Sequence, residues 1–130
     1  MFRSIVMLIH LIEDDAAVRA ALSVFLEEEG YRVAAFPNAT SFFSQADPQS
    51  NDLIVLDVGL PDMPGPEVCD LLRARGVKAK IMAISGLKVG PYEAAIRRIA
   101  PIAAFRKPLN LPDLLASIAQ YCAPQTVMSE

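Results

Sequence analysis

"DLIVLDVGLPDMPG", Asp52 to Gly65, holds the pattern that decides the fold. Leu53 to Leu56 are apolar without alternation, and the run ends on a carboxylate, Asp57. A short continuous apolar run fits a strand buried on both faces, as in a parallel sheet. Pro61, Pro64 and Pro66 follow and mark a loop that leads into a helix. A buried strand that stops on a carboxylate raises the question of what that carboxylate meets at the edge of the sheet.

Segments of the same two kinds alternate on both sides of this stretch. Apolar runs at Leu8–Ile12, Val33–Phe36, Leu53–Asp57, Lys80–Ser85 and Ala103–Arg106 read as five strands. Five helical patterns lie after them. The first is capped by Asp15, carries Val18, Ala21, Leu22, Phe25 and Leu26, and stops at Gly30. The second is capped by Asn38, carries Phe42, Phe43 and Ala46, and stops near Pro48. The third opens at Pro66, buries Val68, Leu71 and Leu72, and ends at Gly76. The fourth opens at Pro91, runs through Tyr92, Ala95, Ile96 and Ile99, and ends before Pro101. The fifth starts at Asn110 and Pro112, with Leu111, Leu114, Leu115, Ile118 and Cys122 on one face. Strands alternating with helices define an α/β doubly wound parallel sheet of five strands, with helices on both faces.

With 130 residues and 53% hydrophobic content, the chain suits one domain with a full core. A net charge of −3 without a Lys/Arg cluster gives no basic face for nucleic acid. The run Ser4–Ile12 is too short to span a bilayer, and "EDD" stands where a signal peptide would place its cleavage site. Cys69 and Cys122 sit in helical patterns without a Cys-x-x-Cys spacing and read as free thiols.

In a doubly wound sheet the binding crevice lies beyond the carboxyl ends of the strands. The first strand ends in Glu13 and Asp14, the third in Asp57, the fourth in Ser85 and the fifth in Lys107. Three carboxylates that close repel one another. A hard divalent cation such as Mg2+ relieves that repulsion, while a lysine and a hydroxyl can hold phosphate oxygens. An aspartate facing such a clamp can act as a nucleophile and form an acyl phosphate. The bland readings are a turn-forming Asp57, a helix-start acidic cluster at Glu13–Asp15, and a packed neutral imidazole at His10, the one histidine.

"IEDDAAVR" (Ile12–Arg19), "LDVGLPDMPG" (Leu56–Gly65), "AISG" (Ala83–Gly86) and "RKPL" (Arg106–Leu109) occur in order, each at a predicted strand end. Together they resemble the response-regulator receiver domain of two-component systems, over roughly Met7 to Ala123. The resemblance implies a flavodoxin-like (βα)5 fold with strand order 2-1-3-4-5, a receiver over residues 1–124, and a loose tail at 125–130. It implies Asp57 as phosphoacceptor, Ser85 as switch hydroxyl and Lys107 as the phosphate-contacting lysine. It further implies Mg2+ held by Glu13, Asp14, Asp57 and the Gly59 carbonyl, and a cis Lys107–Pro108 bond. The implied function is that of a cytoplasmic phosphorelay module. Its phosphoryl donor is a sensor histidine kinase or histidine phosphotransfer protein, and its output is an unknown downstream protein, with no nucleic acid or membrane partner. Such a module takes part in its own phosphorylation but is no enzyme toward external substrates.

Rival classes fit less well. An aspartyl phosphatase usually carries a second aspartate two places after the first, where this chain has Gly59. A flavin-binding domain needs a phosphate loop after the first strand, where "EDDAAV" would repel the phosphate. The alternative kept open is a degenerate receiver that binds proteins without phosphorylation. The intact Asp57, Ser85 and Lys107 argue against it, and it is kept open by Ala104, which stands where the family places an aromatic switch residue, with Phe105 facing the other way. Ala100-Pro101 likewise replaces the Gly-Ala expected before the fifth strand.

Overall fold

Burial on both faces is what drives the apolar runs into neighbouring strands. In the computed structural model, which describes residues 7–121, they form β1 (Leu8–Ile12), β2 (Arg32–Phe36), β3 (Leu53–Asp57), β4 (Lys80–Ser85) and β5 (Ala103–Arg106). All pair in parallel, in the order β2-β1-β3-β4-β5. Both the class and the strand order therefore match the sequence expectation. Cys122 and the tail after Pro124 lie outside the described residues.

The helices are α1 (Ala16–Glu28), α2 (Ala39–Gln45), α3 (Gly65–Ala74), α4 (Val89–Ile99) and α5 (Leu111–Tyr121). Asp15 caps α1 by accepting from the Ala17 and Val18 N–H groups, and Asn38 caps α2 by accepting from Ser41 N–H. Gly30 and Gly76, past the ends of α1 and α3, take φ of 96° and 75°, a region that side chains other than glycine's disfavour. Alternation along the strands divides the core into two layers. Ile12, Ile54, Leu56 and Ala83 pack against α2, α3 and α4, while Ile9, Leu11, Val55 and Ile84 pack against α1 and α5. Ala104 and Phe105 fall in opposite layers, as alternation requires. Among the described residues no helix is long and apolar enough to cross a membrane.

Leu71, expected inside, is exposed on α3, and two helix boundaries differ from expectation by more than one residue. Helix α4 opens at Val89, two residues before Pro91. A proline in the first turn is tolerated because its missing N–H would have no partner inside the helix. Helix α2 ends at Gln45, and Ala46 is its extended C-cap rather than a helical residue. At the end of α4, Ala100 takes the left-handed conformation usually given to glycine, with φ 48°. Gly65 is required where α3 meets β3. A Cβ there would lie 3.0 Å from Val58 Cα and 3.3 Å from Ile99 Cδ1.

One buried polar pair ties the lower edge of the sheet. His10 is 2% exposed, and its Nε2 sits 2.9 Å from Asp52 Oδ2. Asp52 also accepts from the N–H groups of Leu8 and Gln49, so one carboxylate joins the start of β1 to the turn before β3. The imidazole packs beside Phe36 and edge-on to Phe42. His10 is thus a packed core residue, as the bland reading held. Burial opposes ionisation of Asp52, but the hydrogen bonds from Gln49, His10 and Leu8 outweigh it and hold the carboxyl below its usual range. A depressed carboxyl contributes stability above its unfolded value near 3.8 and loses it as pH falls through the folded value. Asp52→Asn is therefore expected to cost about 1–3 kcal/mol at neutral pH, read by urea unfolding. The difference from the unaltered protein should shrink below pH ~4. A pH-independent difference would contradict the role given to the charge.

Candidate functional site

Parallel pairing brings the ends of β1, β3, β4 and β5 to one edge of the sheet. Ile12 pairs with Leu56, Asp57 with Ile84, and Ser85 with Arg106. Glu13 and Asp14 follow β1 directly, Asp57 closes β3, and Lys107 follows β5. Carboxylate oxygens of Glu13, Asp14 and Asp57 lie within 4.8 Å of one another. Asp14 is exposed, whereas Glu13 and Asp57 are buried.

Lys107 is the counter-charge. Its Nζ lies 2.7 Å from Glu13 Oε1 and 3.1 Å from Asp57 Oδ2. The other Asp57 oxygen, Oδ1, accepts from Gly59 N–H at 3.0 Å. Glu13 Oε2 accepts from Asp15 N–H at 3.1 Å. The Lys107–Pro108 peptide is cis. Ser85 is fully buried, and its Oγ accepts from Leu87 N–H at 3.0 Å. Gly59 is exposed at the mouth, and a Cβ added to it would stand 3.8 Å from both Asp57 Oδ1 and Leu87 Cδ2.

The two buried carboxyls are driven apart. Burial pushes Glu13 up to about 7, although contact with Lys107 and the Asp15 N–H pulls it back part of the way. Burial also opposes the Asp57 charge, but the Gly59 N–H, hydrogen bonds shared with Glu13 and Asp14, and Lys107 together hold Asp57 low. The pocket therefore disfavours the charged form of Glu13 and favours that of Asp57. Burial disfavours the Lys107 cation, yet its two carboxylate partners raise its pKa overall.

The donor set suits a hard divalent cation: three carboxylates and one exposed edge open to water. Glu13 Oε1 is buried and touches the ammonium, but out of line for a hydrogen bond. That leaves a buried oxygen able to accept more positive charge.

Three contributors escape a reading of the sequence. Arg19, inside the "IEDDAAVR" motif, donates from Nη1 to the carbonyls of Glu13 (2.8 Å) and Asp14 (3.3 Å). It fixes the backbone that carries the acidic pair. Asp62, in the loop after Asp57, accepts from Ala39 N–H, Thr40 N–H and Thr40 Oγ, so that loop is fastened to the start of α2. Arg106 donates from Nη2 to the Leu87 carbonyl at 2.6 Å. All three act on backbone groups, which leave no signature in residue spacing. Cys69 is a free buried thiol, pushed up to about 11 by burial, and takes no part in the pocket.

A five-stranded parallel sheet in this order, with an acidic crevice and an opposed lysine at its carboxyl edge, defines a doubly wound α/β fold whose crevice suits a divalent cation. Comparison gives the class its name. The chain belongs to the response regulator receiver domain family, whose model matches residues 9–119. It is 34% identical to the response regulator protein TmoT of Ectopseudomonas mendocina, over 90% of this chain and 54% of that protein. It is 28% identical to the transcriptional regulatory protein FixJ of Azorhizobium caulinodans, over 85% of this chain and 52% of the relative. The chain thus spans about half the length of these curated relatives. Among solved structures, the chemotaxis protein CheY4 of Vibrio cholerae shares the fold. Its TM-score is 0.79 at 19% identity, over 91% of this chain and all of that one.

Arg19→Ala removes charge-assisted hydrogen bonds to two carbonyls and is expected to cost about 1–2 kcal/mol in urea unfolding. Arg19→Lys should restore only part, because both contacts leave one nitrogen, Nη1, and the lysine arm ends one bond short of it. Full restoration by lysine would show that charge alone matters there.

Proposed function

We propose that Asp57 accepts a phosphoryl group from a phosphohistidine on a sensor histidine kinase or histidine phosphotransfer protein. The observation that carries this is the setting of Asp57. It is a buried carboxylate at a strand end, gripped by Gly59 N–H and Lys107 and flanked by Glu13 and Asp14. Attack by an Asp57 oxygen on phosphorus forms the acyl phosphate P–O bond. The P–N bond to the donor imidazole breaks, and that imidazole keeps the electron pair and is free to take up a proton. Glu13, Asp14, Asp57 and the Gly59 carbonyl would hold Mg2+, which when bound offsets the charge on the transferring oxygens. Lys107 would hold one phosphoryl oxygen once its contact with Asp57 is replaced. Ser85 would supply a hydroxyl to another.

The receiver unit is taken as residues 1–124, with 125–130 as a tail. It works in the cytoplasm and turns over no external substrate beyond its own acyl phosphate. Its product is a changed affinity for a downstream protein, or for the remainder of a longer regulator, as the half-length match to relatives suggests. Ala104 keeps one rival reading, a degenerate receiver that binds its partner without phosphorylation.

With Mg2+ and acetyl phosphate, the protein is expected to gain one hydroxylamine-sensitive phosphate by intact-mass spectrometry, and Asp57→Asn to gain none. Labelling that persists in Asp57→Asn would refute the assignment. No labelling of the unaltered protein, with partner binding retained, would favour the degenerate receiver.

A further inference from the structure

Leu87 is held at both ends of its own residue. Its N–H donates to Ser85 Oγ at 3.0 Å, and its carbonyl accepts from Arg106 Nη2 at 2.6 Å. The Arg106 guanidinium lies over the Tyr92 ring, 4.5 Å from the centroid. In the sheet, Arg106 is the register partner of Ser85, and the Lys107 N–H donates to the Ser85 carbonyl. An unbroken line of contacts thus leads from the Ser85 hydroxyl, through Leu87, to Arg106 and the first turn of α4. The Leu87 side chain also borders the mouth of the pocket, beside Gly59 and Asp57.

Resting on the phosphoacceptor role given to Asp57, we propose that Arg106 is the positioning residue that couples the pocket to helix α4, with Tyr92 as its platform. Ser85 cannot turn toward a group on Asp57 without carrying or releasing the Leu87 N–H. Either movement shifts the Leu87 carbonyl and loosens its bond to Arg106. The guanidinium then leaves the Tyr92 face or drags Tyr92 with it. Ala104 lies on the same face of β5, two residues before Arg106, and packs in the layer that holds Ala95, Ile96 and Ile99 of α4. A methyl group there can neither stack nor donate. Arg106 does both, since a planar guanidinium can lie on a ring while its edge donates a hydrogen bond. Both partners are reachable from outside: Arg106 is exposed and Tyr92 half-buried. A change in the pocket is therefore delivered to the protein surface.

The test uses the full chain with beryllofluoride and Mg2+ as the phosphoryl mimic. Hydrogen exchange over residues 86–95 is the readout, and acetyl phosphate labelling of Asp57 the control. In the unaltered protein the mimic should change exchange across this segment. Arg106→Ala and Tyr92→Leu should each label on Asp57 at the unaltered rate, because neither side chain touches the acidic pocket, and each should lose most of the exchange response. Arg106→Lys should keep only part of it, since the ammonium retains the donor but not the planar stack. Normal labelling with a full response in either Arg106→Ala or Tyr92→Leu overturns the coupling and leaves the acceptor role standing. The coupling is likewise overturned if the unaltered protein labels without any response over residues 86–95. Loss of labelling in Arg106→Ala would place Arg106 in the acceptor chemistry and also overturn it. Absence of label in the unaltered protein removes the acceptor role, and the coupling with it.

Discussion

The ammonium of Lys107 between two buried carboxylates is the contact on which the rest depends. Glu13 is fully buried, and Asp57 is nearly so. Two carboxylates in so little water would not both stay ionised without a cation between them. The cation comes from the far end of the chain, 94 residues after Glu13 and 50 after Asp57. Only a parallel sheet that carries the ends of β1, β3 and β5 to one edge can bring them within 3.1 Å. The topology is therefore a condition of the charge balance, and the apolar strands hold that topology in place.

Around this centre the two adjoining loops are fastened differently. The loop after β3 is pinned at Asp62, whose carboxylate takes three hydrogen bonds from the start of α2. It is pinned again at Gly65, whose N–H donates to the Val58 carbonyl. The loop after β4 hangs on single bonds at each end of Leu87, one to a buried hydroxyl and one to an exposed guanidinium. Fewer and more exposed bonds mean a lower cost of local opening. Asp57 thus sits between a stiff wall and a compliant one. Helix α4 begins within two residues of the compliant side.

Much of this was legible in the sequence because it lies in side-chain pattern. The run Leu53–Asp57, the caps at Asp15 and Asn38, and the stops at Gly30 and Gly76 follow from burial, capping and backbone rules that act locally. Glu13, Asp14, Asp57 and Lys107 could be placed together once the sheet was known to be parallel. Arg19, Asp52, Asp62 and Arg106 were not legible, since each is an ordinary charged residue until the backbone group it serves is folded into reach. The early start of α4 was hidden by Gly90-Pro91, a pair that usually marks a turn. Ala100 shows the same limit: position predicts a helix end there, but not that an alanine takes the left-handed conformation.

The central claim is that one lysine and one divalent cation share the charge of three carboxylates. Calorimetric titration with Mg2+ tests it most directly. Asp14→Asn removes a carboxylate and should weaken binding by roughly 10-fold, whereas Lys107→Ala removes the competing cation and should tighten it by a comparable factor. Weaker binding in Lys107→Ala, or unchanged binding in Asp14→Asn, would contradict the account.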